Sequence, residues 1–302
     1  MGEKTSLKAV ALMGATGTGK SALAMCVAKA VGASIICCDS MQLYRGLNIG
    51  TAKPTQMERD AVTHYLVDCC DLPDMFSAAR WAKEARTIIQ QENEQGRIPL
   101  IVGGTGLYLR ALVEGFADIP AEKPQVRQRF EALQKEAGTS ALYQLLQHKD
   151  PDMALRLKAG DTQRIMRALC VCESTGKTLS AWQQRDSEAV PIDCPVFVLD
   201  VEREILRQRL ADRFHAMMKA GWLDEVRWLD EQKLPDSHPV LRAVGYRQLL
   251  DFLHGKIVLE QAVNDGITAT RRYAKRQVTW FHNQTPDAVH GNHVTLEKLM
   301  YG

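Results

Sequence analysis

The chain has 302 residues, of which 45% are apolar and 25% charged, with 21 glycines and 11 prolines. These proportions exclude collagen-like, disordered and low-complexity proteins, and no apolar run approaches the roughly 18 residues that a membrane-spanning helix needs. The net charge of +2 is spread evenly along the chain, so binding to a polyanion would require basic residues gathered on one face.

Short apolar runs alternate with helical segments in the first third of the chain. Residues 7–13 are predicted to form a strand covered on both sides, followed by a glycine-rich turn and the helix Lys20–Val31. A second helix is predicted to begin near Ser77. Further strands are predicted at residues 34–38, 65–69 and 98–102. This alternation predicts a parallel sheet with helices on both faces.

The pattern changes after Pro120, because residues 121–187 contain amphipathic helical stripes and no strand candidate. A strand at Val196–Leu199 then returns the chain to the sheet, and residues 202–283 are mostly helical. We therefore predict an α/β fold in which a helical domain interrupts the parallel-sheet core. The predicted boundaries are 1–119 and 191–302 for the core and 120–190 for the all-helical insertion domain.

The cysteines and the N-terminal residues bear on the cellular compartment. None of the eight cysteines forms a Cys-x-x-Cys pair, so we interpret them as small, reduced, buried side chains rather than metal ligands. The apolar stretch at residues 9–14 is too short for a secretory signal. Together these features predict a cytoplasmic protein without a membrane segment, and a monomer is the default expectation.

A complete phosphate-binding loop joins the first strand to the first helix, which makes the predicted core a P-loop core. Its glycines let backbone N–H groups converge on phosphate oxygens, and the helix N-terminus adds positive potential. Lys20 supplies a point charge, and the Ser21 hydroxyl can bind Mg²⁺. The predicted diphosphate- or nucleotide-binding residues are Gly14, Ala15, Thr16, Gly17, Thr18, Gly19, Lys20 and Ser21.

The phosphate loop by itself does not distinguish hydrolysis, transfer and binding. An Asn-Lys-x-Asp motif, typical of GTPases, is absent, and the strand at 98–102 runs into glycines instead of an acidic residue. The acidic residue is Asp39, at the carboxyl end of the second strand, which is the edge where open α/β sheets bind ligands. From the residues alone, Asp39 is also compatible with a helix N-cap, and Thr105 with an ordinary turn residue.

Longer blocks of sequence carry a family resemblance. The most specific are residues 38–46, continued to 54, and Gly103-Gly104-Thr105-Gly106, with weaker blocks at 163–167, 242–247 and 275–280. They resemble the tRNA dimethylallyltransferase (IPP transferase) family over essentially the whole chain. Ala15 and Ser21 stand where the family often has Pro and Thr. The zinc-finger extension of eukaryotic relatives is absent, which predicts a bacterial-type enzyme.

The resemblance implies a specific reaction. The exocyclic amine of the adenosine immediately 3′ of the anticodon in tRNA attacks dimethylallyl diphosphate, and pyrophosphate leaves. By resemblance, Asp39 is the base, Thr105 hydrogen-bonds near the scissile oxygen, and Lys20 acts with Mg²⁺ on the diphosphate. Arg213 matches a family arginine that faces the diphosphate. From helical spacing, Arg213 lies at the border of an apolar stripe, where an arginine commonly extends to the surface.

The segment 270–283 suggests how RNA is bound. Arg272, Lys275 and Arg276 fall on one helical face, opposite apolar residues and beside Tyr273 and Trp280, as suits backbone contact and base stacking. An ordinary amphipathic helix with a solvated face is the alternative. The full predicted tRNA-binding set is Asp39, Ser40, Met41, Gln42, Thr105, Arg127, Gln163, Arg164, Ile165, Met166, Arg167, Arg242, Ala243, Val244, Gly245, Tyr246, Arg247, Lys275, Arg276, Gln277, Val278, Thr279, Trp280, Phe281 and His282.

Three other functions remain open on the sequence. An adenylate isopentenyltransferase would use the same chemistry on free AMP, ADP or ATP, and a small-molecule kinase would use the loop for ATP. A non-catalytic, nucleotide-gated RNA-binding protein is the third. The helical insertion and the late basic motifs favour an acceptor as large as the tRNA anticodon stem-loop. Asp39 and Thr105 next to the loop argue against a non-catalytic protein.

Overall fold

The computed structural model describes residues 6–117, 119–120, 122–184 and 191–295. Over these residues the chain divides into one unit made of Met1–Val113 with Val190–Gly302, and a second unit, Glu114–Ala189. The strands, all in the first unit, are β1 (Leu7–Lys8), β2 (Val10–Met13), β3 (Ile35–Cys38), β4 (His64–Tyr65), β5 (Leu100–Gly103), β6 (Ile192–Asp193), β7 (Val196–Leu199) and β8 (Val289–Gly291).

A six-stranded parallel sheet forms the centre of the first unit, in the order β4-β3-β5-β2-β7-β8. Its register places Met13 beside Gly103, and Gly103 beside Cys38, so the central strands end level with one another. Continuous apolar runs are typical of such strands, because both faces of a parallel sheet are covered. The parallel sheet predicted from the sequence is therefore confirmed.

Each strand predicted in the first third of the chain is shorter than expected, and two of them depart most from their predicted bounds. The run 7–13 is interrupted at Ala9, and β1 pairs with β6 in a separate two-stranded sheet while β2 joins the main sheet. The run 65–69 contributes only its first residue to β4, because Leu66 and Asp68 adopt positive φ angles of 57° and 52° that end the strand. Apolar composition alone did not reveal these breaks.

Helices cover the sheet and complete the first unit. The helix predicted near Ser77 begins at Ala78, and the Ser77 side chain caps it by accepting the Arg80 N–H. Residues of the sheet and of the first helix share a hydrophobic cluster that includes Leu12, Leu23 and Leu100. The helices are α1 (Lys20–Val31), α2 (Gln56–Ala61), α3 (Ala78–Glu94), α4 (Gly106–Val113), and, after the second unit, α9 (Arg203–Lys219), α10 (Trp222–Glu231), α11 (Tyr246–Leu253) and α12 (Leu259–Gln284).

The second unit contains only helices among its described residues, and these are α5 (Pro124–Lys149), α6 (Pro151–Arg156), α7 (Thr162–Thr175) and α8 (Leu179–Gln183). Gly138 departs from helical geometry within α5, with φ 76° and ψ 179°. The core of the second unit is formed by apolar residues at helical spacing, including Phe130, Leu146 and Leu169.

The described residues test two predictions, the burial of the cysteines and the lack of a membrane-spanning helix. All eight cysteines are free, and Cys37, Cys38, Cys70 and Cys170 are buried as expected. Cys26 is exposed on the outer side of α1, so the expectation of burial was wrong there. None of the described helices is long and apolar enough to cross a bilayer.

Candidate active site

Three loops meet at the carboxyl edge of the sheet because β2, β3 and β5 end level with one another. The Thr105 N–H donates to the Cys38 carbonyl at 3.1 Å, and the Ser40 N–H donates to Thr105 Oγ1 at 3.2 Å. A Cβ on Gly103 would lie 2.0 Å from the Cys38 carbonyl oxygen, so only glycine permits this close approach. The loop that carries Thr105 is therefore fastened directly to the turn that carries Asp39.

A cavity of 410 Å³ opens at this edge. It is lined by side chains that the sequence analysis assigned to different roles, together with Trp222, Tyr273 and Thr270. A volume of this size suits a small ligand with a few polar groups that fix its orientation. The predicted site residues in its lining are Thr16, Lys20, Ser21, Asp39, Ser40, Met41, Gln42, Arg213, Arg242, Ala243, Val244, Tyr246, Arg276 and Gln277.

The phosphate-binding loop has the backbone geometry that anion binding requires. Gly17 and Gly19 adopt φ angles of 81° and 94°, which favour glycine. Gly19 precedes α1 without any side-chain cap, so the positive end of this helix faces the loop. The Thr18 hydroxyl and the Lys20 ammonium both donate to the Ala15 carbonyl, at 2.9 and 3.3 Å.

Lys20, Arg213 and Asp39 interact electrostatically within the cavity. Burial lowers the pKa of Lys20 to about 8; nearby Asp39 opposes this shift, and nearby Arg213 adds to it. Burial also lowers the pKa of Arg213, again opposed by Asp39. Arg213 is half-buried and lines the cavity, so the alternative of an arginine directed to the surface was wrong. A bound anion would offset the cost of burying both cations.

The Asp39 side chain closes a turn and does not cap a helix. Its Oδ1 accepts the Met41 N–H at 2.9 Å, and the following residues form turns, with the next helix beginning only at Gln56. This is an Asx-type turn, in which a short polar side chain bonds to the backbone two residues later. The helix N-cap alternative was therefore wrong in form, although a local structural role for Asp39 is real.

The thiols beside this site are not nucleophiles. Burial raises the pKa of Cys37 and of Cys38 well above the usual range, and the charge of Asp39 acts in the same direction. Only a thiolate is strongly nucleophilic, and raising the pKa removes it at neutral pH. Asp39 lines the cavity, whereas Thr105 lies outside the lining and reaches the turn of Asp39 through its hydrogen bond with the Ser40 N–H.

Helix α12 has the two faces that its sequence predicted. Arg272, Lys275, Arg276 and Thr279 are exposed, whereas Ala274 and Phe281 are buried. The Arg276 guanidinium lies 5.7 Å from the centre of the Tyr273 ring, and both residues line the cavity. Gln277 is buried as well, and His282 is exposed. The basic face of α12 therefore borders the cavity.

Arg242, Ala243, Val244 and Tyr246 line another part of the cavity, and an unpredicted glutamate contacts Tyr246. Arg247 is exposed, and Gly245 has φ 88°, where a Cβ would lie 2.0 Å from the Trp222 ring. Sequence reasoning missed Glu225, whose carboxylate accepts the N–H groups of residues 48, 49 and 50 and the Tyr246 hydroxyl. Its partners lie far away in the sequence, so local patterns contain no signal for it.

The predicted tRNA-binding residues of the second unit differ in their surroundings. Gln163 and Arg164 are exposed. Arg127 and Arg167 both form ion pairs with Glu122, and Arg127 also pairs with Glu131. The side chains of Ile165 and Met166 are buried in the hydrophobic cluster of this unit, which assigns them to the packing of α7.

Asp200, His282 and His290 form a cluster that the sequence did not indicate. Their ligand atoms lie within 4.8 Å of one another, and His290 Nδ1 is 2.8 Å from Asp200 Oδ2. The two imidazole rings are stacked at 4.5 Å with planes 11° apart. Nitrogen lone pairs lie in the ring plane, so near-parallel rings do not direct them to one metal ion.

Comparison with known proteins extends over most of the chain. The model of the IPP transferase family matches residues 42–284. The tRNA dimethylallyltransferase of Azorhizobium caulinodans is 43% identical over 285 residues, which are 94% of this chain and 91% of that protein. The tRNA dimethylallyltransferase of Syntrophobacter fumaroxidans is 42% identical over 279 residues, which are 92% of this chain and 82% of that protein.

Solved structures agree with the sequence relatives. The full-length tRNA isopentenylpyrophosphate transferase of Bacillus halodurans superposes with a TM-score of 0.71 at 32% identity, covering 98% of this chain and 96% of that one. A eukaryotic dimethylallyltransferase described as acting on tRNA superposes with a TM-score of 0.79 at 28% identity. The superposition covers 95% of this chain and 74% of the eukaryotic chain.

Proposed function

The chain belongs to the IPP transferase family and is a prenyl transferase that acts on tRNA, and we propose that its donor is dimethylallyl diphosphate. The dimethylallyl group is transferred to the exocyclic amine of the adenosine immediately 3′ of the anticodon, and pyrophosphate is released. The observation that supports this proposal best is the cavity in which the phosphate loop, Asp39 and the basic helix α12 meet.

The donor's diphosphate is proposed to lie in the phosphate loop. Lys20 and Arg213 would neutralise it, and the uncapped N-terminus of α1 would add positive potential. As the bond between the allylic carbon and the bridging oxygen breaks, the negative charge on the pyrophosphate grows, and these preorganised groups stabilise it increasingly. This arrangement favours the transition state over the bound donor.

Magnesium is proposed as the cofactor because the donor atoms in the cavity suit it. The Ser21 hydroxyl lines the cavity, and Mg²⁺ prefers oxygen ligands, often sharing them with phosphate groups. Ser21, at the start of α1, would hold the ion against the diphosphate. The ion would supply additional positive charge to the leaving pyrophosphate.

Asp39 is proposed to act on the attacking amine, and Thr105 on the oxygen that departs with the pyrophosphate. An aromatic amine is a weak nucleophile, so a carboxylate that accepts its proton during attack lowers the barrier. Thr105 Oγ1 already accepts the Ser40 N–H, which leaves its own hydrogen to be donated towards the oxygen that departs. Both groups are held by backbone hydrogen bonds, so little reorganisation is needed.

The partners follow from this assignment. We propose that the anticodon stem-loop of tRNA contacts the exposed basic face of α12, with no obligate protein partner, and that the enzyme is a cytoplasmic monomer. Family membership favours tRNA over free adenylate and over the phosphoryl acceptors of a kinase.

The direct test is transfer of radiolabel. The protein is incubated with Mg²⁺ and labelled dimethylallyl diphosphate, with either unmodified tRNA or AMP as acceptor. Label is expected in tRNA alone, and nuclease digestion should place it on the adenosine 3′ of the anticodon. Label in AMP would indicate an adenylate isopentenyltransferase, and the absence of label from both acceptors would contradict the proposal.

The pKa of Lys20 gives a pH prediction. Lys20 binds the diphosphate as an ammonium ion, so kcat/KM for the prenyl donor should be constant below its pKa of about 8 and fall at higher pH, by about tenfold per pH unit. Lys20→Arg should move the fall to higher pH, since a guanidinium remains protonated. A wild-type profile that stays flat beyond pH 9 would contradict the assignment.

The basic face of α12 gives a prediction about salt. The double variant Arg272→Ala, Lys275→Ala should raise the KM for tRNA and leave the KM for the prenyl donor unchanged, because both residues are exposed and outside the cavity lining. The slope of the logarithm of the tRNA binding constant against the logarithm of the salt concentration should become less steep by about one unit per phosphate contact removed. Alanine at Lys29 and Lys83, exposed on α1 and α3, is the matched control. An unaltered slope would indicate a merely solvated helix face.

A further inference from the structure

The side chain of Gln277 points inward from α12, away from the basic residues beside it. It is only 7% exposed, although the sequence placed it in the predicted tRNA-binding set. Its Oε1 accepts the Thr16 N–H at 2.9 Å, and its Nε2 donates to the Gly104 carbonyl at 2.8 Å. An N–H and a C=O partner fix the orientation of the amide, since only one arrangement satisfies both.

The loop of residues 103–106 lacks side chains where Gln277 and its neighbour Trp280 pack against it. A Cβ on Gly104 would lie 2.3 Å from Gln277 Nε2, and a Cβ on Gly106 would lie 2.2 Å from the Trp280 ring. Gln277 and Trp280 are three residues apart and therefore lie on the same side of α12. The helix thus packs two side chains against the two glycines that flank Thr105.

Gln277 consequently joins two loops that the proposed reaction uses separately. Thr16 belongs to the loop assigned to the diphosphate, and Gly104 precedes Thr105, which is itself bonded to the turn of Asp39. The Gln277 side chain is thus hydrogen-bonded to the backbone of both loops. The neighbouring Arg276 lines the cavity from the same helix.

We propose that Gln277 is a positioning residue that fixes the distance between the phosphate loop and Thr105, and so couples helix α12 to the reacting groups. This inference rests on the proposed function. Although Gln277 lines the cavity, its amide is already hydrogen-bonded to the backbone of both loops, so its proposed effect on the reaction is exerted through them. It holds the leaving group and its hydrogen-bond donor in the geometry of the transition state, and an error of about 1 Å in such a geometry costs about 10²-fold in rate.

The test compares Gln277→Met with wild type. Methionine keeps the length of the side chain but removes both hydrogen bonds. We expect kcat at saturating tRNA and donor to fall by about 10²-fold, while the dissociation constant for tRNA stays within twofold of wild type. Hydrogen exchange should accelerate at the amides of residues 14–19 and 104–106. The matched control is Gln261→Met, an exposed glutamine of the same helix, which should alter none of these values.

A second variant tests the hydrogen bond that Gln277 Nε2 donates to the Gly104 carbonyl, and it remains informative if the methionine variant folds poorly. In Gln277→Glu, a carboxylate would place an oxygen against the Gly104 carbonyl, whereas the protonated carboxyl can donate to it as the amide does. The ratio of its kcat to that of wild type should therefore rise as the pH is lowered from 8 to 6. A loss caused only by altered packing would give a ratio that does not change with pH.

The outcomes separate this inference from the proposed function. If wild type fails to prenylate tRNA, the proposed function is wrong, and exchange in the two loops still reports whether Gln277 links them. If wild type is active and Gln277→Met keeps kcat within threefold, the positioning role is wrong. A raised dissociation constant for tRNA with unchanged kcat would instead make Gln277 a direct tRNA contact.

Discussion

Replacing Asp39 by asparagine is expected to lower kcat by about 10²–10⁴-fold while both substrates still bind, the usual effect of removing a positioned general base. The Oδ1 of asparagine can accept the Met41 N–H as aspartate does, so the Asx-type turn is retained. The amide cannot accept the proton of the attacking amine. The measurement is single-turnover prenyl transfer at saturating tRNA and donor.

Electrostatics requires one precaution in this experiment. Asp39 raises the pKa of Lys20 against the effect of burial, so Asp39→Asn lowers that pKa further below 8. Lys20 would then lose its proton at a lower pH, and donor binding would weaken for a reason unrelated to base catalysis. The two enzymes are therefore compared near pH 6.5 and again near pH 8. Near-wild-type kcat at the lower pH, with normal tRNA binding, would leave Asp39 with only its turn-forming role.

Replacing Lys20 by alanine is expected to reduce kcat/KM for the prenyl donor by about 10²–10³-fold, as for the loss of one preorganised charge-stabilising group. The ammonium neutralises charge that increases as pyrophosphate departs, so kcat should fall as well as affinity. Lys29→Ala is the control, since Lys29 is exposed in the last turn of the same helix.

The result distinguishes the phosphate loop from other sites for the donor. Unchanged kcat/KM in Lys20→Ala would exclude the loop as the diphosphate site. A rise in the donor KM with constant kcat would show that Lys20 stabilises the bound donor and the transition state equally. The tRNA dissociation constant should not change in either variant, which separates donor binding from acceptor binding.

Short-range signals made the core of the site predictable from the sequence. The phosphate loop needs consecutive residues of particular types, and Asp39 and Thr105 lie one and two residues after strands whose carboxyl ends share one edge. The family resemblance placed the same residues in a reaction. Alternation of strands and helices likewise predicted the parallel sheet, because a parallel strand needs a crossover to reach its partner.

Strand ends and side-chain partners were decided by the tertiary structure. The left-handed conformations of Leu66 and Asp68 ended β4 early, and apolar composition gives no sign of backbone dihedrals. Glu225 holds the backbone of residues 48–50 across a gap of about 175 residues in the sequence. Such contacts depend on the fold that brings the segments together, so no local pattern encodes them.

The sequence by itself determined the composition of the two faces of α12, and the fold determined which polar side chain lay inside. Polarity places a glutamine with the solvated residues, because burying an unpaired amide is costly. The tertiary structure brings the Thr16 N–H and the Gly104 carbonyl, 261 and 173 residues away, within hydrogen-bond distance of Gln277. These two bonds offset the loss of water, so the amide is stable in the interior.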